Sequence, residues 1–337
     1  MLNDSAMSIS KQALFRYRLW GRHIVSEIAL GEIEQTPELL RQDRSLPELY
    51  CKLLPCEGPA QPVGEVVLEQ RTDNGNLWLA LLKSGDDYLA WFLDLCIFRI
   101  RPREMRIECT PIPGTPSSTI VHLLLDHAIP RFLSLQTGYL VLHASAVLMD
   151  GHAVAILGQS GQGKSTLATY LASNGSSLLT DDCLVLRQEE SAGAWLAAPG
   201  YASVRLWSDS SEALGFSGDS LTEFAHYTAK MRTSDRVIMR HARQTAPLDA
   251  CLVLAPPAGC GEPFIKPLSV AETFHALLHA VFRLDPENAE MNRREFGALM
   301  DFMQSVRCYS LSYERDYALL PAVQKVIMES VQATQVR

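Results

Sequence analysis

Apolar and polar positions change their period along the chain. From residue 1 to about 115, short apolar runs alternate with turn signals: LFRYRLW, VGEVVLEQR, NLWLALLKS and YLAWFLDLCIFRIRP, with LPCEGPAQPVG as punctuation after the first. Val63, Val66 and Leu68 stand among polar neighbours and are followed by Thr72-Asp73-Asn74-Gly75, which predicts a hairpin. Residues 1–115 therefore read as a mostly β N-terminal domain, a candidate for substrate recognition. Thr110–Pro116 is proline-rich, cannot continue a ladder, and is the candidate linker.

Beyond it the spacing turns helical. Ile120, Leu123, Leu124, Ile129, Phe132 and Leu133 predict a helix over Ser118–Leu135, bent or ended near 129 by Pro130. Leu140–Met149 and His152–Leu157 predict two strands hinged at Asp150-Gly151. A glycine-rich loop follows, then a helix over Ser165–Ser173 stopped by Asn174-Gly175. Ser177–Thr180 and Leu184–Leu186 frame Asp181-Asp182 as a strand edge would. Ala250–Ala255 predicts a buried strand, Val270–Phe282 and Arg294–Ser305 predict helices, and Pro286–Arg294 a solvated loop. Strand, loop, helix and strand in this order predict an α/β nucleotide-binding core over residues 116–337.

Composition narrows the function. With 337 residues, 47% of them hydrophobic, the chain can bury enough apolar surface to fold, which excludes a mostly disordered protein. Its 30 basic and 38 acidic residues give a formal charge of -8, which argues against general affinity for nucleic acid or anionic membrane. Any polyanion must meet a local positive site. The longest apolar runs, about 11 residues, fall short of the roughly 20 that a membrane-spanning helix needs. The opening MLNDSAMSIS lacks the basic start and apolar core of a secretory signal, so a cytoplasmic location is expected. The eight cysteines, at 51, 56, 96, 109, 183, 251, 260 and 308, contain no C-x-x-C pair and read as reduced structural thiols.

Gly158-Gln-Ser-Gly-Gln-Gly-Lys164-Ser165 matches G-x-x-x-x-G-K-[ST] at every fixed position. Polyphosphate packs several charges into a small volume, and such a loop meets it with backbone N–H groups. Gly158, Gly161 and Gly163 permit the close approach. Lys164 supplies a compact cation, Ser165 a hydroxyl for Mg²⁺, and the helix N-terminus a favourable dipole. The loop residues Gly158, Ser160, Gly161, Gln162, Gly163, Lys164, Ser165 and Thr166 are thus the expected ATP site. The apolar VAIL before the loop and the helical STLATYLA after it supply the context the motif requires.

Asp181 follows Lys164 by 17 residues and ends the apolar SLLT, expected to lie beside the loop-bearing strand. A carboxylate there can hold Mg²⁺ directly or through water. Neighbours in an extended strand point to opposite sides, so one of Asp181 and Asp182 can face the metal and the other the acceptor. His143, 15 residues before Gly158 on the preceding hairpin, stands in the apolar LVLHASAVLM within reach of an acceptor or a carboxylate.

Residues 143–186, HASAVLMDGHAVAILGQSGQGKSTLATYLASNGSSLLTDDCLVL, resemble the catalytic core of the HPr serine kinase/phosphorylase family, whose fold is related to that of phosphoenolpyruvate carboxykinase. The resemblance implies a mixed α/β P-loop kinase core that uses ATP and Mg²⁺. It implies Lys164 on the phosphates, Asp181 as the base toward a substrate serine, Asp182 and Ser165 on the metal, and His143 at the acceptor, with the two aspartate roles exchangeable. SEIALGEI and PGYASVRLW resemble a subgroup from peptide-modification gene clusters, including lasso-peptide precursor kinases. The stretch that bifunctional HPr enzymes use for phosphorolysis is not found, so neither HPr as substrate nor the reverse reaction is implied. Homo-oligomers occur in the family.

Arg205, Lys230, Arg232 and Arg236 are candidates for phosphate or substrate contact. His275 and His279 share a helix face without a third ligand and read as an amphipathic surface. The expected reaction is transfer of the γ-phosphoryl group of ATP to a serine of a peptide or small protein, such as a ribosomally made precursor. The alternatives are a small-molecule hydroxyl kinase and a non-catalytic, ATP-controlled binding module. N-K-x-D and L-S-G-G-Q are both absent from the sequence, which argues against a GTPase or transporter ATPase.

Overall fold

Alternating apolar and polar positions in the first hundred residues close into an eight-stranded sheet. The strands are β1 (Phe15–Leu19), β2 (Arg22–Ser26), β3 (Leu49–Leu53), β4 (Glu65–Arg71), β5 (Leu77–Ser84), β6 (Asp87–Phe92), β7 (Cys96–Arg101) and β8 (Arg106–Pro111). Their order is β1-β2-β3-β8-β7-β6-β5-β4. The pairs β2/β3 and β3/β8 are parallel and the others antiparallel. The computed structural model describes residues 14–335 except 32, 37–47, 56–60, 73, 190–192, 236, 258 and 260, with side chains to residue 331. The chain start, Asp73, Arg236, Cys56 and Cys260 lie outside the described residues.

Two expectations change here. YLAWFLDLCIFRIRP folds back on itself, because Asp94 takes a left-handed φ of 60° and separates β6 from β7. The candidate linker is partly sheet: Thr110 and Pro111 pair with Ile97 and Cys96, and Ile112 N and Thr115 Oγ1 each donate to Leu95 O at 2.8 Å. Beyond Cys109, β8 has lost β3 as a neighbour, and proline is tolerated on such a local edge.

The predicted helix before the core is α1 (Ser117–Leu123) and α2 (Ile129–Ser134), joined by a π turn over Leu124–Ala128. Pro130 lacks an N–H and would crowd the carbonyl four residues back, and a turn widened by one residue relieves both. The core continues as β9 (Tyr139–Leu142), β10 (Ser145–Met149), β11 (His152–Leu157), α3 (Lys164–Ser173), β12 (Ser177–Thr180), β13 (Leu184–Gln188), β14 (Trp195–Ala198), β15 (Val204–Leu206) and α4 (Ser208–Ala213). It ends with β16 (Thr222–Glu223), β17 (Met231–Thr233), β18 (Ala246–Leu254), β19 (Phe264–Pro267), α5 (Val270–Ala280), α6 (Ala289–Ser305), β20 (Arg307–Ser312) and α7 (Leu320–Gln335).

The large core sheet runs β12-β10-β11-β18 and branches at β18, to β20 and β19 on one side and to β14-β13-β9 on the other. Strands β11, β18 and β20 are parallel within an otherwise antiparallel sheet. A small sheet, β15-β17-β16, lies apart. Helices α3 and α7 cover one face through Leu167, Leu171, Val323 and Ile327, while α5 and α6 cover the other through Leu277, Leu299 and Phe302. Each of these buried side chains contributes roughly 1.5–3 kcal/mol. A third apolar cluster joins the N-terminal sheet to the core, from Tyr17 and Phe98 through Leu123 and Phe132 to Val185 and Phe282.

The run Leu140–Met149 is not one strand. It breaks at His143-Ala144, so β9 pairs with β13 while β10 pairs with β11 and β12. His143 therefore sits in a link between strands. β12 lies beside β10, which separates it from the loop-bearing β11. Helix α6 starts at Ala289, inside the expected loop, because Asn288 Oδ1 accepts from the N–H groups of Glu290 and Met291 at 3.1 Å each. No element is predicted at α7, although Leu320, Val323, Ile327 and Val331 keep helical spacing. Among the described residues, no helix is long and apolar enough to cross a membrane.

Candidate functional site

The glycine loop leaves the end of β11 and enters α3. Gly161 and Gly163 take φ of 77° and 91°, values that favour glycine, and a Cβ on Gly161 would meet nothing within 4 Å. Gly158 is needed for a different reason: a Cβ there would lie 2.6 Å from Gln162 Oε1 and 3.2 Å from Leu254 Cβ. Gln162 braces the loop, its Oε1 accepting from Gln159 N at 2.7 Å. Lys164 crosses it from below, Nζ donating to Gly158 O at 2.9 Å and Gln159 O at 3.2 Å. Burial lowers the Lys164 pKa, against the pull of Asp182 and Asp181.

Behind the loop, Ser165 Oγ donates to Asp181 Oδ1 at 3.0 Å, and Ser145 Oγ donates to the same oxygen at 2.6 Å. Asp181 is only 1% exposed. Burial first, and then the neighbouring Asp182 carboxylate, push its pKa up to about 6. Asp182 differs. Its left-handed φ of 60° turns it toward a cavity, where its side chain keeps 20% exposure and Oδ2 accepts from Arg205 Nη1 at 2.6 Å. Burial would raise its pKa, but Arg205, His143 and Lys230 outweigh burial and hold it below the usual carboxylate range.

His143 Nδ1 lies 3.1 Å from the carbonyl oxygen of Asp182. A carbonyl only accepts, so Nδ1 carries the hydrogen and Nε2 is left as an acceptor in the neutral ring. Burial lowers the His143 pKa and favours that neutral form.

A cavity of about 600 Å³ brings these groups together. Ser160 through Thr166, Asp182, His143, Arg205 and Lys230 all line it. Lys230 Nζ sits 5.6 Å from the centre of the Trp207 ring. Asp181 and Gly158 stand behind this surface, reaching it through Ser165 and Lys164. Arg232 is not brought to the loop; it lines a different cavity. His275 and His279 are exposed on α5 with their Nε2 atoms 3.3 Å apart.

Several lining residues carry no sequence expectation. His122, Asp126 and His127 come from α1 and the π turn. Arg205 Nη2 pairs with Asp126 Oδ2 at 2.5 Å, as does His122 Nδ1 at 2.5 Å, and Tyr201 bonds both Asp126 and Arg205. Four polar residues at helical spacing in an apolar stretch, His122, Asp126, His127 and Arg131, were the signal available. From the far end of the chain, Arg315 Nη1 donates to Gly161 O at 3.1 Å, while Tyr317 and Ser210 form a hydroxyl chain at 3.0 Å that continues to Thr166 at 3.1 Å.

Arg205, 5% exposed, is the shared partner of two acids. Arg205→Met should cost about 3 kcal/mol of stability, because it leaves buried carboxylates without their counter-ion. Urea unfolding at neutral pH measures it. Burial opposes the charge on Asp126, yet Arg205 and His122 hold its pKa well below the ordinary 3.8. A depressed carboxyl contributes stability that is present above the unfolded value and is lost as pH falls toward the folded one. Stability should therefore drop steeply below about pH 4, and less steeply in Asp126→Asn. Unfolding midpoints compared at pH 7 and pH 3 check this.

Ser165 and Asp182 are the oxygen donors that could hold a magnesium ion here. Among the described residues, no group of three or more His, Cys, Asp or Glu could hold a metal by itself. Magnesium instead takes one or two protein oxygens together with phosphate oxygens. Ser165, its proton given to Asp181, presents lone pairs, and Asp182 presents a carboxylate that stays ionised.

No protein-family profile and no curated protein sequence matches the chain. Among solved structures it is similar to the HPr(Ser) kinase/phosphatase from Coxiella burnetii, with 10% identity and a TM-score of 0.35, over 58% of this chain and 92% of that chain. A likeness this remote carries no argument about chemistry, which has to come from the side chains.

Proposed function

We propose that the protein transfers the γ-phosphoryl group of ATP to a serine hydroxyl of a peptide or small protein. One observation carries the reading: a single cavity joins a glycine loop with a buried lysine and a carboxylate-anchored serine to a second carboxylate and a neutral histidine. A nucleotide-controlled module needs the loop, the lysine and a metal carboxylate, but has no use for a neutral histidine facing the same cavity.

Backbone N–H groups of the loop and the Lys164 ammonium would bind the phosphates and stabilise charge developing on the transferring group. Ser165 and Asp182 would hold magnesium, which when bound neutralises phosphate charge. The acceptor oxygen forms its bond to phosphorus as the bond from phosphorus to the ADP oxygen breaks, and the hydroxyl proton passes late to a base. Asp181 is sealed behind Ser165 and Ser145, so we assign it to positioning Ser165 and give the proton to His143 Nε2. This moves the base role from the aspartate that the sequence suggested to the histidine that faces the cavity.

The test is incubation with labelled ATP, Mg²⁺ and serine peptides, a lasso-type precursor and free hydroxyl metabolites among the acceptors. Label on a peptide serine supports the proposal. ATP binding without transfer to any acceptor would favour the module, and label on metabolites alone the small-molecule kinase. His143→Gln should lower kcat by roughly a hundredfold or more at unchanged ATP affinity. An unchanged kcat in that variant would return the base role to Asp181.

A further inference from the structure

A second cavity, about 960 Å³, opens between the N-terminal sheet and the core. Arg18 and Leu19 of β1 form one wall, with residues 33–36. Arg232, Arg240 and Arg243 form the other. Arg205 stands at its inner end but is committed to Asp126 and Asp182, so the cleft itself gathers four arginines, and Glu34 is the one carboxylate among the described lining residues. Such clustering runs against the whole chain, whose formal charge is -8. Arg18, Arg240 and Arg243 are exposed and face solvent, Arg243 with Glu34 Oε2 at 4.0 Å across the cleft, a loose surface pair that an incoming carboxylate can replace.

The cleft is also placed for the reaction. His122, Arg205 and Phe224 line both this cavity and the one holding the glycine loop. Anything seated among the arginines lies against the inner wall of the site where phosphoryl transfer is proposed. Its volume is at the upper end of small-ligand sites, with room for several side chains.

We infer that this cleft binds an acidic segment of the acceptor, with glutamates or aspartates on the exposed arginines, next to the cavity that holds Lys164 and Asp182. The inference rests on the kinase reading for the word acceptor, but the binding can be measured without transfer. Exposed arginines attract carboxylates over about a Debye length and pair with them bidentately on contact. The rest of the surface, net negative, repels the same ligand, which confines it to the cleft.

The experiment uses a short fluorescein-labelled peptide with one serine flanked by glutamates, and a second with those glutamates changed to glutamine. Anisotropy is read at low and at raised salt. The acidic peptide should bind wild type and Lys164→Ala alike, and binding should weaken with salt. Arg240→Glu/Arg243→Glu should weaken it about tenfold, or about 1.4 kcal/mol, while Arg103→Glu, outside the cleft, should leave it unchanged. Arg18→Glu repeats the test from the opposite wall if the double variant does not fold. Equal binding of both peptides, indifference to the charge reversals, or displacement of the peptide by a single-stranded oligonucleotide would each overturn the inference. Intact peptide binding without any phosphoryl transfer would leave it standing and remove the kinase reading instead.

Discussion

Lys164→Ala is expected to cut phosphoryl transfer by roughly a hundred- to a thousandfold, the range seen when one preorganised donor to a developing charge is removed. Fold stability should change by no more than about 1 kcal/mol. The ammonium donates to Gly158 O and Gln159 O, both in the loop, and to no residue of the apolar clusters. Burial also disfavours its charge, so truncation relieves one cost while removing two hydrogen bonds. Initial-rate assays with labelled ATP, beside a thermal melt, separate the two effects. A variant with wild-type turnover would disprove the assignment of the loop, and one that fails to fold would disprove the claim that this lysine serves ligand alone.

Asp182→Asn should be nearly as severe for turnover, about a hundredfold or more, and should raise the magnesium concentration needed for half-maximal rate. The amide keeps an oxygen that can accept from Arg205 Nη1, so the local hydrogen bond survives in weaker form. Arg205 also retains Asp126 and Tyr201, so the expected loss of stability is only about 1 kcal/mol. Magnesium titrations of the rate provide the check. The same half-saturation in variant and wild type would show that Asp182 does not meet the metal and would shift that role to Asp181.

The contiguous part of the site was legible because the loop is a local structure. Glycines, lysine and serine at fixed offsets between an apolar run and a helix leave the backbone little choice. The aspartate pair was legible for a similar reason, since the turn after β12 follows α3 directly. Their separate environments were not. Asp181 and Asp182 differ because one faces Ser145 of β10 and the other Arg205 of β15, and strand order decides that. Linear neighbourhood could not separate Arg232 from Lys230: the first lies inside β17 while the second precedes that strand, and the two line different cavities. Arg315 comes to the loop from 154 positions away, and Tyr317 comes to Ser210 beside it, which no local pattern announces.

In the fold, hairpins with strong turn chemistry could be read, such as β10 to β11 across Asp150 and Gly151, both at positive φ. Long apolar runs could not be divided correctly. Leu140–Met149 and YLAWFLDLCIFRIRP each contain a reversal or a break whose position depends on which strand lies alongside.

The widened turn before Pro130 makes residue number, as well as residue type, a constraint on this part of the molecule. Each residue of a helix advances the direction of all later side chains by about 100°. Losing one residue between Leu124 and Ala128 would swing His122 and Asp126 away from Arg205 relative to α2, however conservative the remaining letters. A deletion there would therefore uncouple the partners of Arg205 from the rest of the site even if every remaining side chain were kept.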